Sequence, residues 1–260
     1  MNVFGTYSQY YDILYRDKDY DGEVQFVTEL IKKYSPNANN LLELGCGTGI
    51  HAEKLAAKGY RVRGVDLSSE MLRCAEDRLP TLPEAVAKRL SFSCGDICRF
   101  RHSGEGYSTF DVVLSLFHVI SYQTTNENLL AAFRTAKAHL KHNGLFIFDC
   151  WYGPAVLKDP PVVRVKRMEE DDVIVMRIAE PTMYPNENCV DVHYTVLIRD
   201  KKTNKVEEIN EVHRIRYLFK PEIEQLLALS ELSLINSQEL LSGKELDFNT
   251  WTGFFLAKNE

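Results

Sequence analysis

The stretch LLELGCGTGIHAEKLAAKGYRVRGVDLSSEM, residues 41–71, constrains this chain more than any other. A short apolar run, NLLELG, leads into three glycines at alternate positions, Gly45, Gly47 and Gly49. The HAEKLAAKG segment behind them has helical spacing and a stop at Gly59. YRVRGVDL reads as a second buried strand, and SSEMLRCAEDRL as a helix opened by Ser68 or Ser69 as N-cap. Strand, glycine turn, helix and strand in immediate succession make a βαβ unit, and such units build a parallel sheet covered by helices on both faces.

The same grammar continues as far as residue 150, with strands expected at LSFSCGD, FDVVLSLF and LFIFDCW. TNENLLAAFRTAKAHLKHNG is predicted as one helix with Gly144 past its end. After Pro161 the pattern changes. VVRVKRM, DVIVMRIAEPTMY, CVDVHYTVLIRD and VEEINEVHRIRYLF alternate in polarity and are separated by the turn-like EEDD, PNEN and KKTNK, the mark of antiparallel strands with one solvated face. KPEIEQLLALSEL supplies a further helix, and LSLINSQELL with TWTGFFLAKN a hairpin that closes the main sheet. The expected fold class is α/β: a Rossmann-like, doubly wound, mainly parallel seven-stranded sheet with an appended antiparallel β-sheet. The chain contains no internal repeat, low-complexity tract or linker, so residues 1–260 are expected to form a single domain. Its core is expected over 1–157 and 218–260, with the appended sheet over 158–217.

Composition narrows the partners. A net charge of -6 with interleaved acids and bases lacks the basic stripe of a nucleic-acid footprint. The opening MNVFGTYSQYYD has neither a basic nor an apolar leader region, and no run of about 18 apolar residues follows, so a soluble cytoplasmic protein without membrane contact is expected. Six cysteines scattered through strands and helices, with no C-x-x-C pair, read as reduced core thiols rather than metal ligands, and no metal is expected. His139 and His142, near a helix C-terminus, read as end-caps.

The glycine turn leaves the carboxyl end of the first strand, where doubly wound sheets bind ligands. Asp66, at the end of the second strand, is suitably placed to accept from both hydroxyls of a ribose. The spacing is G-x-G-x-G, not the G-x-G-x-x-G that brings a dinucleotide pyrophosphate onto a helix N-terminus. Glu43, just before the first glycine, would repel a pyrophosphate and favours a cationic group met through water or backbone. A cationic adenosine ligand fits these constraints. Asp96, in SCGDI at the third strand's end, can accept from an adenine amino group while Ile97 covers a ring face.

The motifs ELGCGTG, VDLS, GDI and FDVVLS, in this order over residues 41–116, resemble those of the class I S-adenosylmethionine-dependent methyltransferases. The resemblance implies S-adenosyl-L-methionine as cofactor, with S-adenosyl-L-homocysteine as product. The cofactor residues it implies are Tyr11, Glu43, Gly45, Cys46, Gly47, Gly49, Asp66, Leu67, Met71, Asp96, Ile97 and Leu116. More particularly, SLFHVISY, DCWYGP, VDVHYTV and HRIRYLFKPE are similar to segments of the N,N-dimethyltransferases of dTDP-linked deoxyaminosugars. In that family an N-terminal stretch folds over the cofactor, and an appended sheet forms a floor under the nucleotide sugar and assists pairing of subunits.

The resemblance implies a small-molecule acceptor, a nucleotide sugar methylated on its amino group, and a homodimer through the appended sheet. Tyr7, Tyr11 and Tyr15 are four apart and line one helical face, which sets Tyr11 beside the cofactor and Tyr7 at the acceptor. His118, Tyr122 and Tyr7 are the candidate catalytic residues. Tyr122 stands where relatives carry a histidine, and Lys244 is the nearest counterpart of an arginine that relatives use to hold the nucleotide. Substrate contacts are expected from Tyr7, Trp151, Tyr152, Arg177, His193, Arg214, Arg216 and Lys244. The aromatics suit a thymine and the arginines a diphosphate; His193 and His213 are further candidates for orienting the acceptor. An O- or N-methyltransferase of another small metabolite, and a non-catalytic cofactor-binding regulatory subunit, remain alternatives at this stage.

Overall fold

The computed structural model describes residues 8–101 and 110–260; the candidate Tyr7 lies outside them. Helices α1 (Ser8–Leu14) and α2 (Tyr20–Tyr34) precede β1 (Asn40–Leu44). The alternating part continues with α3 (Ile50–Ala57), β2 (Arg61–Asp66), α4 (Ser69–Arg78), α5 (Glu84–Ala87) and β3 (Leu90–Cys94). It ends with β4 (Phe110–Ser115), α6 (Asn126–His139), β5 (Leu140–Trp151) and α7 (Gly153–Lys158). Strands β6 (Arg164–Glu169), β7 (Val173–Tyr184), β8 (Cys189–Asp200) and β9 (Val206–Arg216) follow, then α8 (Lys220–Leu229), β10 (Ser233–Glu239) and β11 (Thr252–Lys258).

The main sheet has seven strands in the order β10-β11-β5-β4-β1-β2-β3, and β6 to β9 form a separate four-stranded sheet. The five strands from β5 to β3 are parallel, and β11 enters antiparallel between β5 and β10. Strand order reverses between β1 and β4, which opens a crevice at the carboxyl ends of the strands. One apolar layer, with Phe133, Phe146, Phe148 and Phe255, fills one side of the main sheet. Val24, Val27, Leu41, Leu55 and Phe254 belong to the other.

The helix expected to run to Gly144 ends at His139 instead. Leu140 is buried and pairs with Phe110 as the first residue of β5. Asn259, near the C-terminus, fixes this segment: its side-chain amide donates to the carbonyls of Leu140 and Lys141, and its own carbonyl accepts from Asn143. His139 is buried within the last helical turn, with Nδ1 2.8 Å from the Thr135 carbonyl.

Helix α1 lies between the two sheets. Leu14 packs with Val175, Val196 and Ile198 on the inner face of the small sheet, and Tyr10, Tyr11 and Tyr15 join them. Asp12 anchors the helix to the main unit through Thr48, whose hydroxyl donates to it at 2.7 Å, and through an ion pair with Arg78. Among the described residues no helix is long and apolar enough to cross a membrane.

Phe133 is fully buried, with edge contacts to Phe146 and Phe148 at 5.4 and 5.1 Å between ring centres. Phe133→Ala is expected to cost about 3–5 kcal/mol of stability by leaving a cavity among these rings, measurable by urea denaturation.

Candidate active site

The crevice deepens into a cavity of about 730 Å³, walled by the loops after β1, β2, β3, β4 and β5, by α1, and by the inner face of the small sheet. Among the expected cofactor residues Tyr11, Gly45, Cys46, Gly47, Asp66, Leu67, Met71, Asp96, Ile97 and Leu116 line it. Gly45 has φ 77°, and a Cβ there would fall 2.3 Å from the Val119 side chain. Gly47, φ 53°, donates its amide to Asp66 Oδ2 at 2.8 Å, and a Cβ there would meet nothing within 4 Å. The turn therefore keeps its approach to the cavity clear. Gly49 serves differently, as the left-handed N-cap of α3 behind the lining.

Asp66 Oδ1 also accepts from the Ser68 amide at 2.9 Å. Burial raises this carboxyl's pKa, against the lowering pull of the Ser68, Gly47 and Leu67 amides. Two amides occupy one lone pair on each oxygen and leave one on each for a diol. Asp96 is held similarly, with Oδ1 accepting from the Cys98 amide at 2.8 Å. Beside it the Cys98 thiol is pushed up to about 12, by burial first and by Asp96 second. Asp66 and Asp96 are the only carboxylates among the described lining residues, and their spacing on adjacent strand ends fits an adenosine.

Glu43 stands one layer back. It is 1% exposed, and its Oε1 lies 3.8 Å from Nδ1 of His51, which does line the cavity. Burial, reinforced by the charge of Asp66, pushes its carboxyl up to about 8, so the group is largely neutral at pH 7. His51 in turn has Nε2 2.8 Å from Glu23, which also pairs with Lys18. Burial lowers the His51 pKa. For Glu23, burial would raise the pKa, but His51 and Lys18 outweigh it and the net shift is downward. The Lys18 ammonium sits over the rings of Tyr20 and Phe117 at 4.3 and 4.4 Å, at the edge of the same cavity.

The opposite end of the cavity is aromatic. Phe117 and His118 follow β4 in consecutive left-handed conformations, φ 63° and 64°, a strained pair of the kind that clusters at functional sites. Asp149, buried at the end of β5, holds the turn by accepting from the His118 amide at 3.0 Å. Its Oδ2 is also 2.9 Å from His118 Nδ1, off the alignment of a hydrogen bond. The Tyr122 hydroxyl lies 2.8 Å from Nδ1 of His213, whose Nε2 is 3.0 Å from Glu211. Trp151, Tyr15 and Tyr194 complete this end.

Several expected substrate residues are elsewhere, and strand parity is the reason. His213 and Ile215 face the cavity, which turns Arg214 and Arg216 to the other side of β9. There Arg214 is paired with Glu187 and Asp191, and Arg216 with Glu222 and the Thr124 carbonyl, so both guanidinium groups are already engaged away from the lining. His193 lies on the outer face of β8 and is exposed. Tyr152 is buried in the core beneath Leu218, and Lys244 is exposed in the loop between β10 and β11. Arg177 is on the inner face but behind the lining, donating to the Tyr15 hydroxyl at 2.8 Å and lying over the Tyr194 ring. Phe117, Tyr194 and Glu211 were not singled out from sequence; the same alternation that pairs Arg214 with Arg216 also pairs Glu211 with His213.

Two outcomes test this geometry. Asp66→Ala removes charge-assisted acceptors worth about 1.5–3 kcal/mol each and should weaken S-adenosylmethionine binding about tenfold or more by calorimetry. Glu43 binds its proton more tightly in the folded chain than in the unfolded one, so between the ordinary 4.5 and about 8 its contribution to stability falls as pH rises. The melting temperature of Glu43→Gln, relative to the parent, should therefore climb across that window.

A methyltransferase-domain family matches residues 41–144. The chain is 30% identical over 216 residues to the dTDP-3-amino-3,4,6-trideoxy-alpha-D-glucopyranose N,N-dimethyltransferase of Streptomyces venezuelae, covering 82% of this chain and 84% of that one. It superposes on the crystal structure of Streptomyces venezuelae DesVI with a TM-score of 0.78 and 26% identity, over 98% of this chain and 99% of the other. The fold is also that of SAM-bound CalS10, an amino pentose methyltransferase from Micromonospora echinaspora, with a TM-score of 0.75, 24% identity and coverage of 100% and 99%. With a relative of this similarity spanning most of its length, the chain belongs to the S-adenosylmethionine-dependent methyltransferases, in the group that includes the dTDP-aminosugar N,N-dimethyltransferases.

Proposed function

We propose that this enzyme methylates the amino group of a dTDP-linked deoxyaminosugar. One cavity joins the two adenosine-type carboxylates, Asp66 and Asp96, to an end lined by Phe117, His118, Tyr122, Trp151 and His213 and free of carboxylates among the described residues. That juxtaposition carries the reading. An amine reacts through its lone pair, so it must dock unprotonated. Neutral phenol and imidazole groups can hold such an amine by its N–H bonds without favouring the ammonium, which a carboxylate there would stabilise.

Bound S-adenosylmethionine supplies an activated methyl group on a good leaving group. The chain's own work is then to bind, to orient and to exclude water. Asp66 and Asp96 hold the nucleoside, while Tyr11 and the Gly45–Thr48 turn bracket the other end. His118, fixed by Asp149, and Tyr122 orient the acceptor nitrogen; positioning of this kind can account for up to about 7–11 kcal/mol of a barrier. Trp151 is the residue of this reading for the base of the acceptor, with Tyr7 at the acceptor from outside the described residues. The chain works as one domain, the small sheet acting as the cavity's floor.

The reading extends to assembly and location. The outer face of the small sheet sets Val165 beside Ile178 and Met176 beside Leu197, with Val165 63% exposed, a surface suited to pairing two copies of the chain. A monomer in analytical ultracentrifugation at micromolar concentration would remove that part. All six cysteines are free thiols, which suits the reducing cytoplasm.

The enzymatic test is incubation with S-adenosylmethionine and a panel of dTDP-3-amino and dTDP-4-amino sugars, free aminosugars and phenols, followed by mass spectrometry. Methylation confined to nucleotide-linked amines is the expected result, and preferential turnover of a phenol or free amine would overturn the acceptor class. On the active acceptor, His118→Asn should lower kcat about 10- to 100-fold with little change in S-adenosylmethionine affinity.

A further inference from the structure

The amine reading raises a question of proton disposal. When nitrogen forms its bond to the methyl carbon, the carbon–sulfur bond breaks and its electron pair returns to sulfur, leaving the product as an ammonium with no lone pair. A second methylation of the same nitrogen requires that proton to leave first. Among the described lining residues the aromatic end of the cavity offers no carboxylate to take it directly.

It does offer a chain of three groups. Glu211 and His213 are two residues apart on β9 and share its inner face, and Tyr122 reaches them from the 3-10 turn Val119–Tyr122 after β4. The hydroxyl of Tyr122 is 2.8 Å from His213 Nδ1, and His213 Nε2 is 3.0 Å from Glu211 Oε2. A carboxylate can only accept, so Nε2 carries the imidazole proton and Nδ1 accepts from the Tyr122 hydroxyl. Tyr122 is itself part of the cavity lining. His213 is 1% exposed and the Glu211 side chain 10%, so both lie within the fold behind the half-buried Tyr122. Among the described residues, the groups facing His213 include Tyr194 on β8, with its ring centre 4.6 Å away, and Arg177 on β7 behind that ring at 4.8 Å.

We propose that Tyr122, His213 and Glu211 form a proton relay that returns the methylated ammonium to the free amine inside the cavity. The ammonium N–H proton passes to the Tyr122 oxygen as the tyrosine's own proton moves to His213 Nδ1, and the resulting imidazolium is balanced by the Glu211 carboxylate. Tyr122 touches the acceptor; His213 and Glu211 are positioning residues that act through it. The relay rests on the amine reading, and its consequence is that both methyl groups are added without release of the monomethyl product.

The test uses the full chain with its best aminosugar acceptor and follows mono- and dimethylated products from the first turnovers. The wild type should give dimethyl product early, in a ratio that changes little with pH. Glu211→Gln keeps a hydrogen-bond acceptor for Nε2 but removes the charge, and should release monomethyl product. Its second methylation should be about 10- to 100-fold slower and recover as pH rises above the acceptor's own pKa, with KM for S-adenosylmethionine unchanged. Tyr122→Phe should behave alike, and Glu211→Asp should partly restore the wild-type ratio.

Identical product ratios in the variants and the wild type at every pH would overturn the relay. A wild type that stops at one methyl would overturn it too, while leaving the amine reading standing; failure to methylate any amine would instead remove that reading. Nitrogen NMR of His213, which needs no acceptor, reads the tautomer independently. The Nε2–H form is expected in the wild type, and an Nδ1–H form would overturn the relay even in a protein of unaltered fold.

Discussion

The hydrogen bond from the Gly47 amide to the Asp66 carboxylate joins the ends of the adjacent strands β1 and β2, next to the point where the sheet's order reverses. Everything that makes the crevice a nucleoside site depends on it. The bond holds the glycine turn against the second strand, aims the carboxylate, and lowers its pKa in part against the burial that raises it. Asp96 repeats the device one strand further on, with the Cys98 amide as its donor. A parallel sheet delivers successive strand ends to one edge, so two such carboxylates lie side by side without any further folding decision.

Polarity divides the rest of the cavity. Around α2 and the start of α3, Glu43, His51, Glu23 and Lys18 form a buried cluster in which partners compensate one another's charge. Glu43 is the exception, largely neutral at pH 7 because burial disfavours its charge and the charge of Asp66 adds to that. At the aromatic end two carboxylates, Asp149 and Glu211, stand behind histidines and not in the lining. Charge is thus concentrated where a charged amino-acid end of the cofactor would lie, and is held at one remove where a neutral amine must react.

The small sheet and α1 close the cavity jointly. Tyr15 at the end of α1 and Tyr194 on β8 flank the Arg177 guanidinium, so a single cation ties the helix to the floor. Asp12, one turn earlier, ties the same helix to the glycine turn through Thr48 and Arg78. Cofactor loop, N-terminal helix and sheet are therefore mechanically connected, and a change in any one is felt by the other two.

Local sequence determined a great deal here. The G-x-G-x-G turn, the acids at strand ends and the change from helical to alternating periodicity after Pro161 specify both sheets, because each signal is satisfied by neighbours within a few residues. Ser68 as N-cap of α4 and the closing hairpin of β10 and β11 were legible for the same reason. The helix read through to Gly144 was not, since Asn259, more than a hundred residues away, draws Leu140–Asn143 into the sheet. Strand parity escaped in the same way. Alternation in EVHRIR separates Glu211, His213 and Ile215 from Val212, Arg214 and Arg216, but both sets contain plausible ligands, and nothing within a strand says which face turns inward. Packing decides it: Val190 and Val192 on β8 bury against Tyr217 and Val156, which fixes the inner face. That choice gives the cavity His213 and leaves Arg214 and Arg216 to protein carboxylates.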